Sequence, residues 1–436
     1  MEQVLTRTPP LSKGVLTDSK TGIAIEKEHK YGAHNYHPLP VVLERGQGVY
    51  VWDVEGKKYF DFLSAYSAVN QGHCHPRIID ALKQQAEKLT LTSRAFHSSL
   101  LGEFEEYITK LFGFDKVLLM NSGVEAVETA MKLCRKWAYE VKGVPQDQAK
   151  IVFATGNFHG RTLSVVSAST DPSSRKGFGP FMGGIELVEY NNVAALERLL
   201  ANDKNIAGFI VEPIQGEAGV VVPDENYLPS VQQLCNEYNV LFVADEIQTG
   251  IARTGKMLAT CGNCTCTNGC ELKNEVKPDI LILGKAVSGG VFPVSAVLAN
   301  DEIMLTIKPG EHGSTYGGNP LACAVAKAAL EVVVDEKLAD NAERLGKIFR
   351  QGLEEIATRN PLITLVRGKG LLNAIVIDSK EDSSLAWDIC MTFRDNGLLA
   401  KPTHGNKIRL APPLVITENQ IHECLAIIEK SLNAHV

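Results

Sequence analysis

Lys285 closes the apolar run Ile280-Leu281-Ile282-Leu283-Gly284 and opens a turn of small residues, Ala286-Val287-Ser288-Gly289-Gly290. Such a run predicts a buried strand with a lysine at its end. An ammonium at that place is costly unless it is paired or chemically consumed. Desolvation makes its proton easier to lose, and the free amine is a nucleophile toward an aldehyde. The bland alternative is a lysine that leaves the strand end for solvent, as most do. What the rest of the chain offers an aldehyde decides between the two.

Two further segments bear on that question. Asn121-Ser122-Gly123-Val124-Glu125-Ala126 stands between a predicted strand and a predicted helix. Helix N-termini present free N–H groups and partial positive charge, and small residues there let an anion approach. The same residues also fit a plain capping box, with Ser122 as N-cap and Glu125 at the third helical position. Asp245, in Val243-Ala244-Asp245-Glu246-Ile247-Gln248, is an acid at the end of an apolar run and suits a pyridinium N–H. A nucleotide site is the rival, because Gly250-Ile251-Ala252-Arg253-Thr254-Gly255-Lys256 mimics a phosphate-binding loop. The mimic has Met257 where a magnesium-binding hydroxyl is required, and it follows the acid strand instead of the first strand. An anion seat, a ring acid and an aldehyde-reactive lysine, in that chain order, are the three anchors of pyridoxal 5'-phosphate.

The elements that must hold these residues alternate along the chain. Strands are predicted at 117–120, 151–154, 208–211, 240–244 and 280–283, with helices at 124–139 and 227–238 among them. Apolar strands separated by helices predict an α/β fold with a mostly parallel central sheet, helices on both faces and ligands at the strands' carboxyl ends. Asn121, Glu212, Asp245 and Lys285 all fall there. After Pro320 the pattern changes to helices at 321–335, 339–358 and 385–395 with short strands at 362–366 and 371–376, a smaller α+β domain. A hairpin signal at 49–53 and 58–61 completes a three-part division. Residues 1–66 form an N-terminal segment packing with the small domain, 67–320 the large cofactor domain, and 321–436 the small domain.

Composition agrees with an enzyme of this kind. The 436 residues are 44% hydrophobic and 22% charged, with a net charge of -7 that gives no reason to expect a nucleic-acid partner. No apolar run approaches the ~18 residues of a membrane span. The first thirty residues mix Arg7, Lys13, Lys20, Lys27 and Lys30 with Glu2, Asp18, Glu26 and Glu28. That mixture argues against a transit peptide. The expectation is a cytoplasmic protein, with the mitochondrial matrix as the alternative.

Four longer motifs extend the three anchors: Tyr31-Gly32-Ala33-His34-Asn35-Tyr36-His37-Pro38, Ser67-Ala68-Val69-Asn70-Gln71-Gly72-His73, Glu212-Pro213-Ile214-Gln215-Gly216-Glu217-Ala218-Gly219 and His312-Gly313-Ser314-Thr315-Tyr316-Gly317-Gly318-Asn319-Pro320. With them the chain resembles the class III (ω) aminotransferases of fold-type I, and within that class the ornithine δ-transaminases. The resemblance runs from about Lys30 to the C-terminus and is interrupted by one insertion. It implies transfer of the δ-amino group of L-ornithine to 2-oxoglutarate through pyridoxal 5'-phosphate, giving L-glutamate 5-semialdehyde and glutamate. By the same resemblance Lys285 is the Schiff-base lysine and proton shuttle, Asp245 holds the pyridine nitrogen and Gln248 the ring hydroxyl. Ser122, Gly123 and Val124 bind the phosphate, Phe158 stacks on the ring, and Ser314 and Thr315 reach the phosphate of a neighbouring subunit, implying a homodimer. Tyr36 and Arg161 grip ornithine's α-carboxylate, and Arg409 takes that of 2-oxoglutarate. Glu217 hides Arg409 in one half-reaction and releases it in the other, while Tyr66 shapes the pocket. Acetylornithine or 4-aminobutyrate aminotransferase is the alternative within the class. His159 departs from the motif, which has a bulky aromatic between Phe158 and Gly160, and it is expected to affect only loop packing.

Ten cysteines are present, and six of them are scattered among apolar or mixed surroundings. The others form Cys261-Gly262-Asn263-Cys264-Thr265-Cys266-Thr267-Asn268-Gly269-Cys270, where the resemblance has a short loop. This spacing is compatible with zinc, with disulfide or redox chemistry, and with an inert surface loop, although Cys264 and Cys266 stand too close for paired zinc knuckles. A zinc- or redox-sensing binding protein built on this loop is the reading from another class.

Overall fold

Seven apolar segments between Lys116 and Ala299 form the central sheet of the computed structural model, which describes residues 19–261 and 276–436. Their spatial order is Lys116–Met120, Ser295–Ala299, Ile280–Leu283, Leu241–Asp245, Ile206–Val211, Lys150–Ala154 and Ile185–Val188. Adjacent strands run parallel except Ser295–Ala299, which is antiparallel to both of its neighbours. The expected mostly parallel sheet is therefore what these segments build. Its central strands are buried at every residue, as a sheet covered on both faces requires.

Helices supply the cover. In the helix Gly123–Trp137 the residues Val127, Ala130, Met131 and Cys134 are buried at three- and four-residue spacing. They pack against Ile210, Val243, Ile282 and Val297 of the sheet. The helix runs on as a single wider turn, Ala138–Lys142, and stops at Gly143, whose φ of +83° suits glycine. Across the sheet, Phe209 and Phe242 meet Val231, Leu234 and Cys235 of the helix Tyr227–Glu237.

A third core joins this layer to the C-terminal part. It runs from Leu281 and Leu283 through Ala326 and Ala329 of the helix Pro320–Asp335 to Leu345 and Phe349 of the helix Leu338–Arg359. Beyond lies a four-stranded antiparallel sheet ordered Ile363–Lys369, Leu372–Ile377, Lys407–Leu410 and Lys401–Thr403. The N-terminal strands Leu43–Gln47, Tyr50–Asp53 and Lys58–Asp61 make another sheet, closed by Leu398–Leu399 lying parallel to Lys58–Asp61. The hairpin signal near residue 50 is thus tied to the C-terminal part through backbone pairing. Among the described residues no helix is long and apolar enough to cross a membrane. The cysteine cluster beyond Cys261 lies outside the described residues, and so does the start of the chain through Asp18.

One buried cation fastens the parts together. Arg253, fully buried, donates to Asn70 Oδ1 at 2.5 Å, to the Pro412 carbonyl at 2.6 Å and to the Leu371 carbonyl at 3.0 Å. Burial pulls its guanidinium down to about 9, with the charge of Asp61 opposing. The loop that resembled a nucleotide site therefore has a structural task. Arg253→Met strands three acceptors, each worth about 1–3 kcal/mol when buried and unpaired. It is expected to lower the thermal midpoint by several degrees, whereas Arg344→Ala, which breaks the exposed pair with Glu418, changes stability by less than about 1 kcal/mol. Equal effects in a differential scanning experiment would contradict this assignment.

Candidate active site

Asn121, Glu212, Asp245 and Lys285 follow or finish four sheet strands at the same edge, where open α/β sheets bind ligands. Lys285 is half-buried, with a left-handed φ of +44° as the chain turns off its strand. It opens on a cavity of about 320 Å³ that Ser122 and Gly123 also line. Burial pushes its amine pKa down. The carboxylates of Glu217 and Asp245 oppose that fall and Arg409 adds to it, and the net shift is downward. A lowered amine pKa favours the free amine that attack on an aldehyde needs.

Ser122 caps the helix that begins at Gly123, and the capping box is fully formed. Glu125 Oε2 accepts from Ser122 N at 2.7 Å and from Ser122 Oγ at 3.0 Å, while Glu125 N donates to Ser122 Oγ at 3.4 Å. The cap and the anion seat are compatible. The cap engages the Ser122 hydroxyl, and the first helical turn still directs N–H groups that lack helical partners into the cavity edge. A Cβ on Gly123 would lie 3.0 Å from Ile247 Cδ1, so glycine lets the helix start sit close to the acid loop. Asn121 donates to Ser314 Oγ at 2.8 Å, tying that loop to the same edge. Thr315 is exposed.

Asp245 is 3% exposed, and its Oδ1 accepts from Ile247 N at 3.1 Å. Its other oxygen lies 2.6 Å from His159 Nδ1. This corrects the expectation that His159 affects loop packing alone. Burial lowers the His159 pKa, but the hydrogen bond to Asp245 and the charges of Asp245 and Glu212 outweigh it, and the net shift is upward. A titratable side chain in an aromatic position was the available signal. Its partner is 86 residues away in sequence, so local pattern could not supply the contact. Glu212 completes the buried group. It accepts from Phe158 N at 3.0 Å, which fixes the loop carrying Phe158, and burial next to Asp245 pushes its carboxyl up to about 8.

A second cluster faces Lys285 from the other side. Arg409, 5% exposed, donates to Glu217 Oε1 at 2.5 Å. Burial alone would raise the Glu217 pKa, but Arg409 and Lys285 more than offset it and hold it low. Gln248 donates to the same Glu217 oxygen at 3.3 Å and to the Tyr66 carbonyl at 3.4 Å. The Arg409 guanidinium stands 5.1 Å from the centre of the Tyr66 ring, and burial raises that phenol's pKa. Tyr36 is 72% exposed and close enough to Tyr66 to raise its pKa further. Arg161 is exposed. Its Nη1 donates to Ser174 Oγ at 2.6 Å and its guanidinium lies 5.2 Å from the Phe158 ring.

Lys285, Asp245, Gln248, Glu217, Arg409 and Tyr66 thus form one contiguous site, with Tyr36 and Arg161 at its solvent side. Three buried atoms here, Gln248 Oε1, Arg409 Nε and His159 Nε2, lack a protein partner. A Cβ on Gly216 would fall 1.4 Å from Gln248 Oε1, so the amide depends on a bare backbone there. An amine beside a helix start, an acid braced from behind and an amide with a free acceptor fit a phosphorylated pyridine aldehyde.

The Glu212 carboxyl, raised from 4.5 to about 8, keeps its proton in the native state over a range where the unfolded chain has lost it. Its contribution to stability is whole below pH 4.5 and is lost as pH rises through about 8. Glu212→Gln cannot ionise, so the cofactor-free variant should gain thermal stability relative to the parent protein between those limits. A difference in thermal midpoint that stays flat across that range would contradict the buried, protonated state.

The aminotransferase class-III family model matches residues 31–432. Ornithine aminotransferase, mitochondrial, from Drosophila melanogaster is 63% identical over 414 residues, which are 95% of this chain and 92% of that protein. The crystal structure of ornithine aminotransferase from Toxoplasma gondii ME49 superposes with a TM-score of 0.91 at 48% identity, covering 96% of each chain. That of acetylornithine aminotransferase from Elizabethkingia anophelis gives 0.86 at 59% identity, covering 95% of this chain and all of the other. A braced acid, a desolvated lysine and a capped helix start on a mostly parallel sheet are therefore found here in a chain that belongs to the class-III aminotransferases.

Proposed function

We propose that this protein transfers the δ-amino group of L-ornithine to 2-oxoglutarate, forming L-glutamate 5-semialdehyde and L-glutamate in two half-reactions. The observation that carries the proposal is Arg409 paired with Glu217 at 2.5 Å beside Lys285. An unpaired arginine there would attract the α-carboxylate of any amino acid and bring its α-amine to the reacting centre. A masked one leaves the distal amine to react.

Pyridoxal 5'-phosphate, used by this family, supplies an aldehyde for the amine and a ring that takes up the electron pair released when a carbon–hydrogen bond breaks. Lys285 Nζ takes the proton from the δ-carbon of ornithine and returns it on the far side of the reaction, which its lowered pKa favours. Asp245, its second oxygen braced by His159, would hold a proton on the ring nitrogen. Gln248 would hold the ring hydroxyl, and Phe158, on a loop fixed by Glu212, would stack on the ring. The N–H groups of Gly123 and Val124, beside Ser122, hold the phosphate. Ser314 and Thr315 reach the phosphate of the second subunit, which makes the working unit a homodimer. Tyr36 and Arg161 grip ornithine's α-carboxylate at the solvent side, where a guanidinium gives two parallel hydrogen bonds. In the second half-reaction the α-carboxylate of 2-oxoglutarate takes Arg409 and Glu217 turns away. Residues 67–320 would carry the cofactor site, with Tyr66 of the N-terminal part and Arg409 of the C-terminal part at its side. The fly and rat relatives are named mitochondrial.

The similarity to an acetylornithine aminotransferase supports a second reading, N-acetylornithine as the donor. The two differ at the α-nitrogen, so kcat/KM for ornithine and for N-acetylornithine, measured side by side, separates them. Glu217→Ala tests the masking itself. With Arg409 exposed, chromatography of the ornithine half-reaction should show α-transamination product rising at least about 10-fold as a share of the total, the size of effect expected when one buried charge is left unpaired. Unchanged exclusive formation of the 5-semialdehyde would overturn the masking role.

A further inference from the structure

Ser64, Ala65, Tyr66 and Ser67 all have left-handed backbones, with φ of +48°, +47°, +60° and +70°. None is glycine. A run of this kind is unfavourable for L-residues, because each Cβ crowds the following carbonyl. It persists only where the surroundings over-determine it. Those surroundings are specific. Asp61 Oδ1 accepts from Leu63 N at 2.9 Å and Ser64 N at 2.8 Å, and Asp61 Oδ2 is held by His73 Nε2 at 2.7 Å. Ser64, fully buried, donates through Oγ to the Ala411 carbonyl at 2.7 Å, and Ala411 N donates to the Phe62 carbonyl at 2.8 Å. Ala411 follows Arg409 by two residues. The turn that carries Tyr66 is therefore stitched on both sides to the segment that carries Arg409.

We propose that Asp61 and Ser64 are specificity-positioning residues: they hold a strained left-handed turn that fixes the Tyr66 ring against Arg409 and so sets which amine donors the pocket accepts. This rests on the reading of Tyr66 and Arg409 as pocket residues. An ordinary turn of lower energy would let the ring leave the guanidinium. The space it vacates would admit donors without ornithine's second amine, such as 4-aminobutyrate. Strain is thus kept at the site in exchange for a fixed ring.

Glycine reaches positive φ without the Cβ penalty, so Ala65→Gly relieves the strain and loosens the turn together. The test compares Ala65→Gly, Ser64→Ala and Tyr66→Ile with the parent in the cofactor-loaded protein. It reads kcat/KM for 4-aminobutyrate relative to ornithine, and the thermal midpoint. Ala65→Gly should match or exceed the parent's midpoint while the ratio rises at least 5-fold, and Ser64→Ala should raise the ratio in the same direction. A residue of purely structural importance would lower the midpoint and leave the ratio alone. A ratio within 2-fold of the parent in Ala65→Gly, with Tyr66→Ile shifting it strongly, overturns the proposal and leaves the role of Tyr66 standing. No shift in Tyr66→Ile removes that role and the proposal with it. Should Ser64→Ala fail to fold, Ala65→Gly decides alone.

Discussion

A lysine amine removed from bulk water at the edge of a sheet must be balanced by its neighbours, and that balance organises the site. Buried charge is tolerable only when paired. Lys285 and Arg409 bring two cations to one small volume, and Asp245 and Glu217 bring two carboxylates to meet them. A third acid, Glu212, is buried beside Asp245, and burial raises its pKa to about 8. Burial is the main reason that this carboxyl holds its proton, and the charge of Asp245 adds to it. His159 holds one oxygen of Asp245 at 2.6 Å and so fixes the orientation of that acid.

The same constraint explains how two unlike substrates can share one pocket. Both ornithine and 2-oxoglutarate carry an α-carboxylate, yet they react at opposite ends. In the proposed function Arg409 is needed only for the oxo acid, and its pairing with Glu217 keeps the charge masked without removing it from the site. The Tyr66 ring, held by a backbone most residues avoid, covers the guanidinium from another direction. Left-handed backbone is concentrated at the turn that carries Tyr66, while elements further out, such as the helix Gly123–Trp137, follow ordinary capping and packing rules.

Much of this was legible in the chain. Apolar runs marked the strands 280–283 and 151–154 to within a residue, and the acid and lysine at strand ends pointed to the site. The strand Ser295–Ala299 escaped notice because Ser-Ala-Val-Leu-Ala is short and poor in the β-branched residues that signal a strand. Ser122 carried two readings; the capping box is formed, and a capped helix start remains compatible with an anion at its N–H groups. The contacts between His159 and Asp245, and between Ser64 and Ala411, join residues far apart in sequence and could come only from the folded chain. The left-handed turn was invisible for a related reason. Ser-Ala-Tyr-Ser has no local preference for positive φ, and tertiary hydrogen bonds impose it.

The central claim is that Lys285 is the amine that engages the cofactor aldehyde. Borohydride reduction of the protein saturated with pyridoxal 5'-phosphate, followed by peptide mass mapping, tests it most directly. A pyridoxyl-phosphate mass increment on the peptide containing Lys285, absent from Lys285→Ala, is the predicted result. An increment located on any other lysine, or none on the saturated protein, would contradict it.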